Sequence, residues 1–523
     1  MGKLEASHHP ASLSFERTVS RKKGILAALF AAVIAVHLWS LMRFPLPFVD
    51  DAWFASRAWG FILTRRNFGP LDVGVFDRFE GYWTFFPWLP TWFQSLALRL
   101  AGVPSLFAVR MVSLFFGLVL LGAVCAIAYR LGGWQLSFWS MLIVSTSWAF
   151  SYSAHLARPD IIAAAFGFVA LALYLYHHSR RWWMSLLSGL CVALAFEVHP
   201  HSAIYGLALV GLYFVRWRWS LFRQRAFWCF VAGVGVGLVF YAVLYIFPSP
   251  NTFFALNRLA FAPTHTPPLL TFDLSVLAQS VEDMGRLLLP MYHVLIPVVV
   301  GAVFILCRQR SESARTLVTL IGVLLAASIL LIRNKGHYYA ILFTPAIDLV
   351  VASLACEVGR HPWHGSPVDY ISRIVVWGGC LAGVLLNLTL LRYNFVRIYQ
   401  TVQSRINQVV RPGESIMAPQ TYWFGLYDHT YYSWEELVYY RRYAPGSTVE
   451  DALREFRPDV MIIDESWDCF ISDQPGDSPY LQHLRLSRTE METFLERQAD
   501  LVVEFDGAAY GQVRVYRIAW EGE

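Results

Sequence analysis

Long apolar blocks, separated by short polar stretches that carry arginine, dominate the first three quarters of the chain. A helix needs about 20 mostly apolar residues to cross a bilayer. The pattern predicts eleven such spans, at roughly 24–42, 106–129, 134–151, 160–178, 182–198, 200–215, 227–247, 290–307, 316–332, 337–356 and 373–392. The first, Gly24–Met42, shows no evident cleavage site and reads as a retained transmembrane helix, with a signal peptide as the alternative. The stretch 85–101 is also apolar, but its prolines and charges fit a helix lying at the interface. After about residue 393 the pattern changes. Asp459–Asp464 predicts a buried strand with a helix over Glu450–Phe456 before it, and Leu501–Phe505 and Gly511–Ile518 predict two more strands, the second alternating. The expected fold is therefore mostly α. A membrane bundle covers residues 1–392, with a first outer loop at 43–105, and a small soluble α/β domain covers 393–523.

Composition agrees and narrows the choice. Of 523 residues, 56% are hydrophobic, 16% aromatic and only 15% charged, with mean hydropathy +0.45. A soluble domain carries about 25% charge, so a soluble globule and a disordered chain are both excluded. The charge is also unevenly placed. Residues 396–523 hold 12 Arg, no Lys and 21 acidic residues, a balance of −9, against +14 for the rest. The sequence pI near 8.7 does not argue for nucleic acid, because the cations sit beside the spans. Arg21, Lys22 and Lys23, then Arg180 and Arg181, Arg216, Arg218, Arg223 and Arg225, and Arg308, Arg310 and Arg315 all fall on one side of an eleven-span bundle. The positive-inside rule makes that side cytoplasmic. The expected location is the cell (inner) membrane, with the N-terminus inside and the loops 43–105 and 248–289 and the tail outside. The seven cysteines show neither a disulfide framework nor zinc spacing.

The predicted outer face carries the residues that a bland bundle does not need. Asp50 and Asp51 follow the first span. One can act as base on an acceptor hydroxyl, or both can help hold a divalent metal; equally, they suit the N-terminus of the helix that follows. Further along are Arg78 and Glu80, the latter a second site carboxylate or a solvated loop residue. Trp53, Trp59, Trp83, Trp88 and Trp92 can stack on sugar faces or form an interfacial belt. Pro159 and Asp160 suit the first turn of the fourth span, which leaves Arg158 as a cation beside a helix N-terminus, a place that favours anions. Glu197, His199 and His201 sit at the turn after the fifth span, as ligands to a metal or headgroup or as ordinary turn residues. Arg333, Lys335 and His337 precede the tenth span, where cations either meet an anionic headgroup or snorkel to the interface.

In this order the features resemble the GT-C fold glycosyltransferases, in the branch of protein O-mannosyltransferases and aminoarabinose transferases. The marks are Asp50-Asp51, the segment Phe79-Glu-Gly-Tyr-Trp83, the block Leu100–Arg110 opening the second span, Ala157-Arg-Pro-Asp160, and Lys335-Gly-His-Tyr-Tyr339. The resemblance covers about residues 24–392. It implies transfer of a sugar from a polyprenyl-phosphate carrier to an acceptor on the outer face. It also implies a catalytic acidic residue at Asp50 or Asp51, acting as base or organising a metal or the acceptor, site-lining carboxylates at Glu80 and Asp160, and donor-phosphate contacts near Lys335. Two departures stand out. Gly81 replaces the lysine common after the position of Glu80, so one phosphate contact is either missing or supplied by Arg78, Arg158 or Lys335. His199-Pro-His201 replaces a lysine-containing turn.

The expected function is that of an inverting membrane glycosyltransferase, hexosyl or pentosyl, with a lipid, glycan or protein acceptor and no nucleic-acid partner. Asp50, Asp51, Glu80 and Asp160 would be catalytic. Arg158, Lys335, Arg333, Arg78 and His337 would bind phosphate, and His199, His201 and Glu197 a metal or headgroup. The alternative is a transporter or flippase of lipid-linked saccharides, but the chain shows no internal repeat and its ionisable residues cluster at the outer edge rather than at mid-depth.

Overall fold

The computed structural model describes residues 10–74, 86–176, 181–260, 267–292, 311–360, 394–471 and 486–520, apart from residues 272, 334 and 470, with a few isolated positions between 378 and 392. Glu80, Arg78, Trp83 and the expected spans 290–307 and 373–392 lie outside them, a few isolated positions aside.

The bundle helices are α1 (Pro10–Ser40), α2 (Val49–Thr64), α3 (Trp88–Ala101), α4 (Leu106–Ser145), α5 (Trp148–Ala154), α6 (Asp160–Tyr176), α7 (Trp182–Val198), α8 (Ala203–Trp217) and α9 (Arg225–Tyr241), then α10 (Pro250–Ala260), α11 (Leu274–Tyr292), α12 (Glu312–Leu331) and α13 (Thr344–Arg360). Among the described residues four helical stretches are long and apolar enough to cross a membrane: Lys22–Ser40, Leu106–Ser145, Arg225–Ile246 and Glu312–Leu331. The count of eleven is therefore not established. The expected spans 106–129 and 134–151 begin as two arms of α4, which breaks at Gly133 with φ 75° and ψ −163°, a conformation a side chain would disfavour. α6 and α7 are 17 residues each and α8 is 15. At 1.5 Å per residue these reach roughly 22–26 Å, short of a hydrocarbon core of about 30 Å. They end where polar residues begin, at Asp160, His199 and Ser202.

Apolar residues cover the outside of the bundle as well as its core. Phe107, Phe115, Leu238, Val239 and Phe240 are exposed, the surface expected of a protein dissolved in lipid. α7 packs on α6 and α9, α4 on α6 and α13, and α8 on α12. Backbones approach closely where α7 meets α9. A Cβ at Gly189 would lie 2.1 Å from the Phe230 carbonyl oxygen, and one at Gly233 2.1 Å from that of Leu186. Small residues at such crossings are the usual device of membrane helix packing.

The tail comprises α14 (Phe395–Val409), β1 (Ile416–Ala418), β2 (Tyr431–Ser433), α15 (Glu435–Tyr443), α16 (Val449–Phe456), β3 (Val460–Ile463), α17 (Arg488–Gln498), β4 (Ala499–Asp506) and β5 (Gln512–Ile518). The sheet order is β2-β1-β3-β5-β4. β2, β1 and β3 run parallel, while β5 pairs antiparallel with both β3 and β4. The strands and helix expected from the sequence coincide with α16, β3, β4 and β5. β3 is buried throughout, as a continuous apolar run requires. One apolar cluster joins this sheet to the bundle: Ala52, Ala55, Ala58 and Leu71 share it with Tyr422, Trp423, Val460 and Tyr510. The Tyr510 hydroxyl also donates to the Pro47 carbonyl at 3.1 Å.

Candidate active site

The N-terminus of α2 presents two neighbouring carboxylates that the fold uses differently. Asp51 is fully buried. It accepts from Arg110 Nη2 at 2.7 Å, from the Ala157 N–H at 2.7 Å and from the Phe48 N–H at 3.1 Å. Arg110 also donates to the carbonyls of Leu41 and Pro45 at 3.2 and 3.1 Å. Asp51 thus ties the end of α1, the start of α2, α4 and the turn before α6. Each of its bonds is structural, and a charge at a helix N-terminus is well placed for that task.

Asp50 faces another partner. It pairs with Arg158 Nη1, while Arg158 Nε donates to Asp160 Oδ2 at 2.7 Å. Burial raises the pKa of Asp50, Arg158 lowers it, and Asp160 and Asp51 raise it further; the balance lies above the ordinary carboxylate value. Asp160 is buried at the first position of α6, and its Oδ1 has no hydrogen-bond partner among the described residues. The Arg158 guanidinium stacks 3.7 Å from the centre of the Tyr338 ring, within cation–π range. His337 Nε2 lies 3.0 Å from the Tyr152 hydroxyl. Burial, then Arg158, lower the His337 pKa, against Asp50 and Asp160.

The other expected residues spread around this cluster. The rings of His199, His201 and Tyr339 gather with centroids 4.5–5.1 Å apart. Burial, aided by Arg158, pushes His199 down to about 3, so it is a neutral ring near neutral pH. Glu197 Oε1 accepts from the N–H groups of Trp88 and Leu89 at 2.7 and 3.2 Å and from the Tyr245 hydroxyl, so it caps α3. Lys335 donates to Ser280 Oγ and to the Ile332 carbonyl, each at 2.5 Å. Burial lowers its pKa to about 8, with Asp283 opposing. Arg333 lines a groove with Ser275, Gln279 and Asp283. Thus Asp50, Arg158, Asp160 and His337 come together, Lys335 and Arg333 belong to the adjoining α11 side, and Asp51 and Glu197 hold structure. Among the described residues no three His, Cys, Asp or Glu side chains form a metal-ligand group. Between Asp50 and Asp160 lies a guanidinium instead.

Three elements of this end were not read from the sequence. Arg110 appears in the sequence only as the last residue of the block Leu100–Arg110, with no role assigned to it. Arg57 and Asp72 form a buried pair at 2.9 Å, which Trp53 Nε1 joins at 2.7 Å. From the tail, Glu435 feels the charges of Asp50, Arg57 and Asp72, and Gln420 lies beside it.

The polytopic helical bundle with a small sheet domain has the GT-C fold. Residues 86–246 match the family model of dolichyl-phosphate-mannose-protein mannosyltransferases. ArnT from Cupriavidus metallidurans bound to undecaprenyl phosphate is similar, with TM-score 0.62 at 15% identity, covering 94% of this chain and 98% of that one. The same protein in the apo state gives 0.58 at 15% identity and the same coverage. The Archaeoglobus fulgidus oligosaccharyltransferase, tethered with an acceptor peptide containing the NVT sequon, gives 0.51 at 10% identity, covering 85% of this chain and 69% of that one. No curated protein sequence matches the chain.

Proposed function

We propose that this chain transfers a sugar from a polyprenyl-phosphate carrier to an acceptor hydroxyl at the extracytoplasmic face of the cell membrane, with inversion at the anomeric carbon. The observation that carries the reading is the buried Asp50–Arg158–Asp160 cluster beside Tyr338 and His337. Its support from outside the chain is the shared fold with ArnT, described as bound to undecaprenyl phosphate.

The chemistry follows from charge. Glycosyl transfer builds positive charge on the sugar ring and negative charge on the leaving oxygen. Asp50 takes the acceptor proton as the acceptor oxygen bonds to the anomeric carbon. The bond from that carbon to the phosphate oxygen breaks, and the carrier leaves as polyprenyl phosphate. Arg158 spends Nε and Nη1 on the two carboxylates, which leaves Nη2 for the phosphate. Asp160 holds the guanidinium in place. Lys335 supplies a second cation, which is lost as pH rises through about 8. His337 orients through Tyr152.

Purified protein in vesicles, offered a panel of polyprenyl-phosphate-linked sugars and hydroxyl acceptors, tests this. Carrier phosphate should be released from at least one donor, and Asp50→Ala should abolish the release. Lipid-linked sugar that changes leaflet without release of carrier would replace this reading with that of a flippase.

A further inference from the structure

The tail's three parallel strands all end at the bundle. In open α/β sheets ligands bind outside the carboxyl ends of the strands, where the chain leaves neighbouring strands in opposite directions. Here β1 is flanked by β2 on one side and β3 on the other. Gln420 stands just beyond β1, Glu435 just beyond β2 and Asp464 just beyond β3. The turn Gln420–Gly425 packs on α2, and β2 packs on the turn Pro70–Asp72 that carries the partner of Arg57. The carboxyl edge of the sheet therefore lies over the α2 end that bears Asp50.

The three residues are not equivalent. Asp464 accepts from the Tyr422 hydroxyl at 2.7 Å and from Ser466, which commits it to the tail. Gln420 is fully buried, yet neither its Oε1 nor its Nε2 makes a hydrogen bond of ordinary geometry. A buried amide in that state costs stability. It lies beside the Glu435 carboxylate, which also feels the charges of Asp50, Arg57 and Asp72. A ligand at the sheet edge beside α2 would satisfy the Gln420 amide.

Resting on the transferase reading above, we propose that Gln420 and Glu435 form the acceptor subsite, and that the acceptor presented to Asp50 is a neutral, hydroxyl-rich glycan end rather than a phosphorylated one. Glu435 accepts from acceptor hydroxyls and Gln420 both donates and accepts. Arg158 offsets Asp50 and Arg57 offsets Asp72, so the Glu435 carboxylate is the charge left over on this side and repels an anionic group, while Arg158 and Lys335 face the donor phosphate. Arg57 is already paired to Asp72.

The test uses the full-length protein in vesicles with a carrier-linked sugar that supports release, and as acceptors methyl hexosides and their 6-phosphates. The wild type should prefer the neutral glycosides by about tenfold or more in kcat/KM. Glu435→Gln and Gln420→Ala should each raise the acceptor KM by about tenfold, with the donor KM shifted less than about twofold. A pH series separates binding from a merely structural role. Burial, with Asp50 and Asp72, pushes Glu435 up to about 7 against Gln420 and Arg57. The wild-type acceptor KM should thus fall as pH rises through about 7. Glu435→Gln should flatten that slope and Glu435→Asp should keep it. Unchanged acceptor KM in both variants, a preference for the 6-phosphates, or release of carrier with neither acceptor class used overturns the subsite. No release by the wild type from any donor instead overturns the transferase reading.

Discussion

Asp50 and Asp51 are adjacent in sequence but about 100° apart around a helix, and that angle divides their work. Asp51 turns inward to Arg110, 59 residues away, and Asp50 turns to Arg158. The sequence offered both as base because spacing alone does not say which neighbour each will meet. The distinction became legible only when α4 was placed against α2. Removing one partner of a buried ion pair leaves an uncompensated charge and costs about 3–5 kcal/mol. Asp51→Asn should therefore lower the thermal unfolding midpoint markedly, and adding Arg110→Met should recover part of the loss. Asp50→Asn leaves Arg158 paired with Asp160, so it should lower the midpoint less than Asp51→Asn does while cutting transfer by about 10²–10⁴-fold, the usual worth of a positioned base. Equal effects of the two single variants on unfolding would contradict this division.

Helix ends, more than helix bodies, separate what was legible from what was not. The apolar blocks placed α3, α4, α9 and α12 because burial and lipid contact leave a clear hydropathy signal. The alternation of β5 and the apolar run of β3 placed the sheet for the same reason. The turn Glu197–His201 reads in the sequence either as ligands for a metal or headgroup or as ordinary turn residues, since Glu and His spaced by two suit both. In the structure Glu197 satisfies the first N–H groups of α3, which a helix leaves unpaired. Its partner lies 109 residues away, beyond any local pattern. Replacing it by leucine removes the acceptor of the Leu89 amide and of the Tyr245 hydroxyl, while the Trp88 amide keeps the Tyr245 oxygen at 2.9 Å, at about 1–3 kcal/mol for each buried group left unmade. Amide hydrogen exchange over Trp88–Trp92 should then quicken by at least tenfold, while exchange in α12 stays as it was. Unaltered protection of those four amides, Pro90 having none, would mean that α3 does not depend on this cap.

The acidic tail reads from the sequence as a small soluble α/β domain, with a division at 392/393. The apolar cluster that joins Ala52, Ala55 and Ala58 of α2 to Tyr422, Trp423 and Val460 of the tail makes the two parts share a core. Interfaces that are large and apolar suppress independent motion of the parts they join. On heating, probes in the tail, such as the buried Trp423, Trp434 and Trp467, should therefore report the same transition as probes in the bundle. Ala55→Asp places an unpaired carboxylate in that shared core, and should lower the midpoint seen by both sets of probes together. A tail that melts separately, or that keeps its midpoint when α2 is so altered, would show two independent bodies. A shared core also explains how a soluble sheet can take part in membrane chemistry at all. Hydrogen-bonding groups act only when held within tenths of an ångström of their target, and a tail swinging on a linker would not hold Glu435 and Gln420 against Asp50. The rigidity of that joint and the use of the tail as an acceptor subsite thus stand on the same packing, and the melting experiment bears on both.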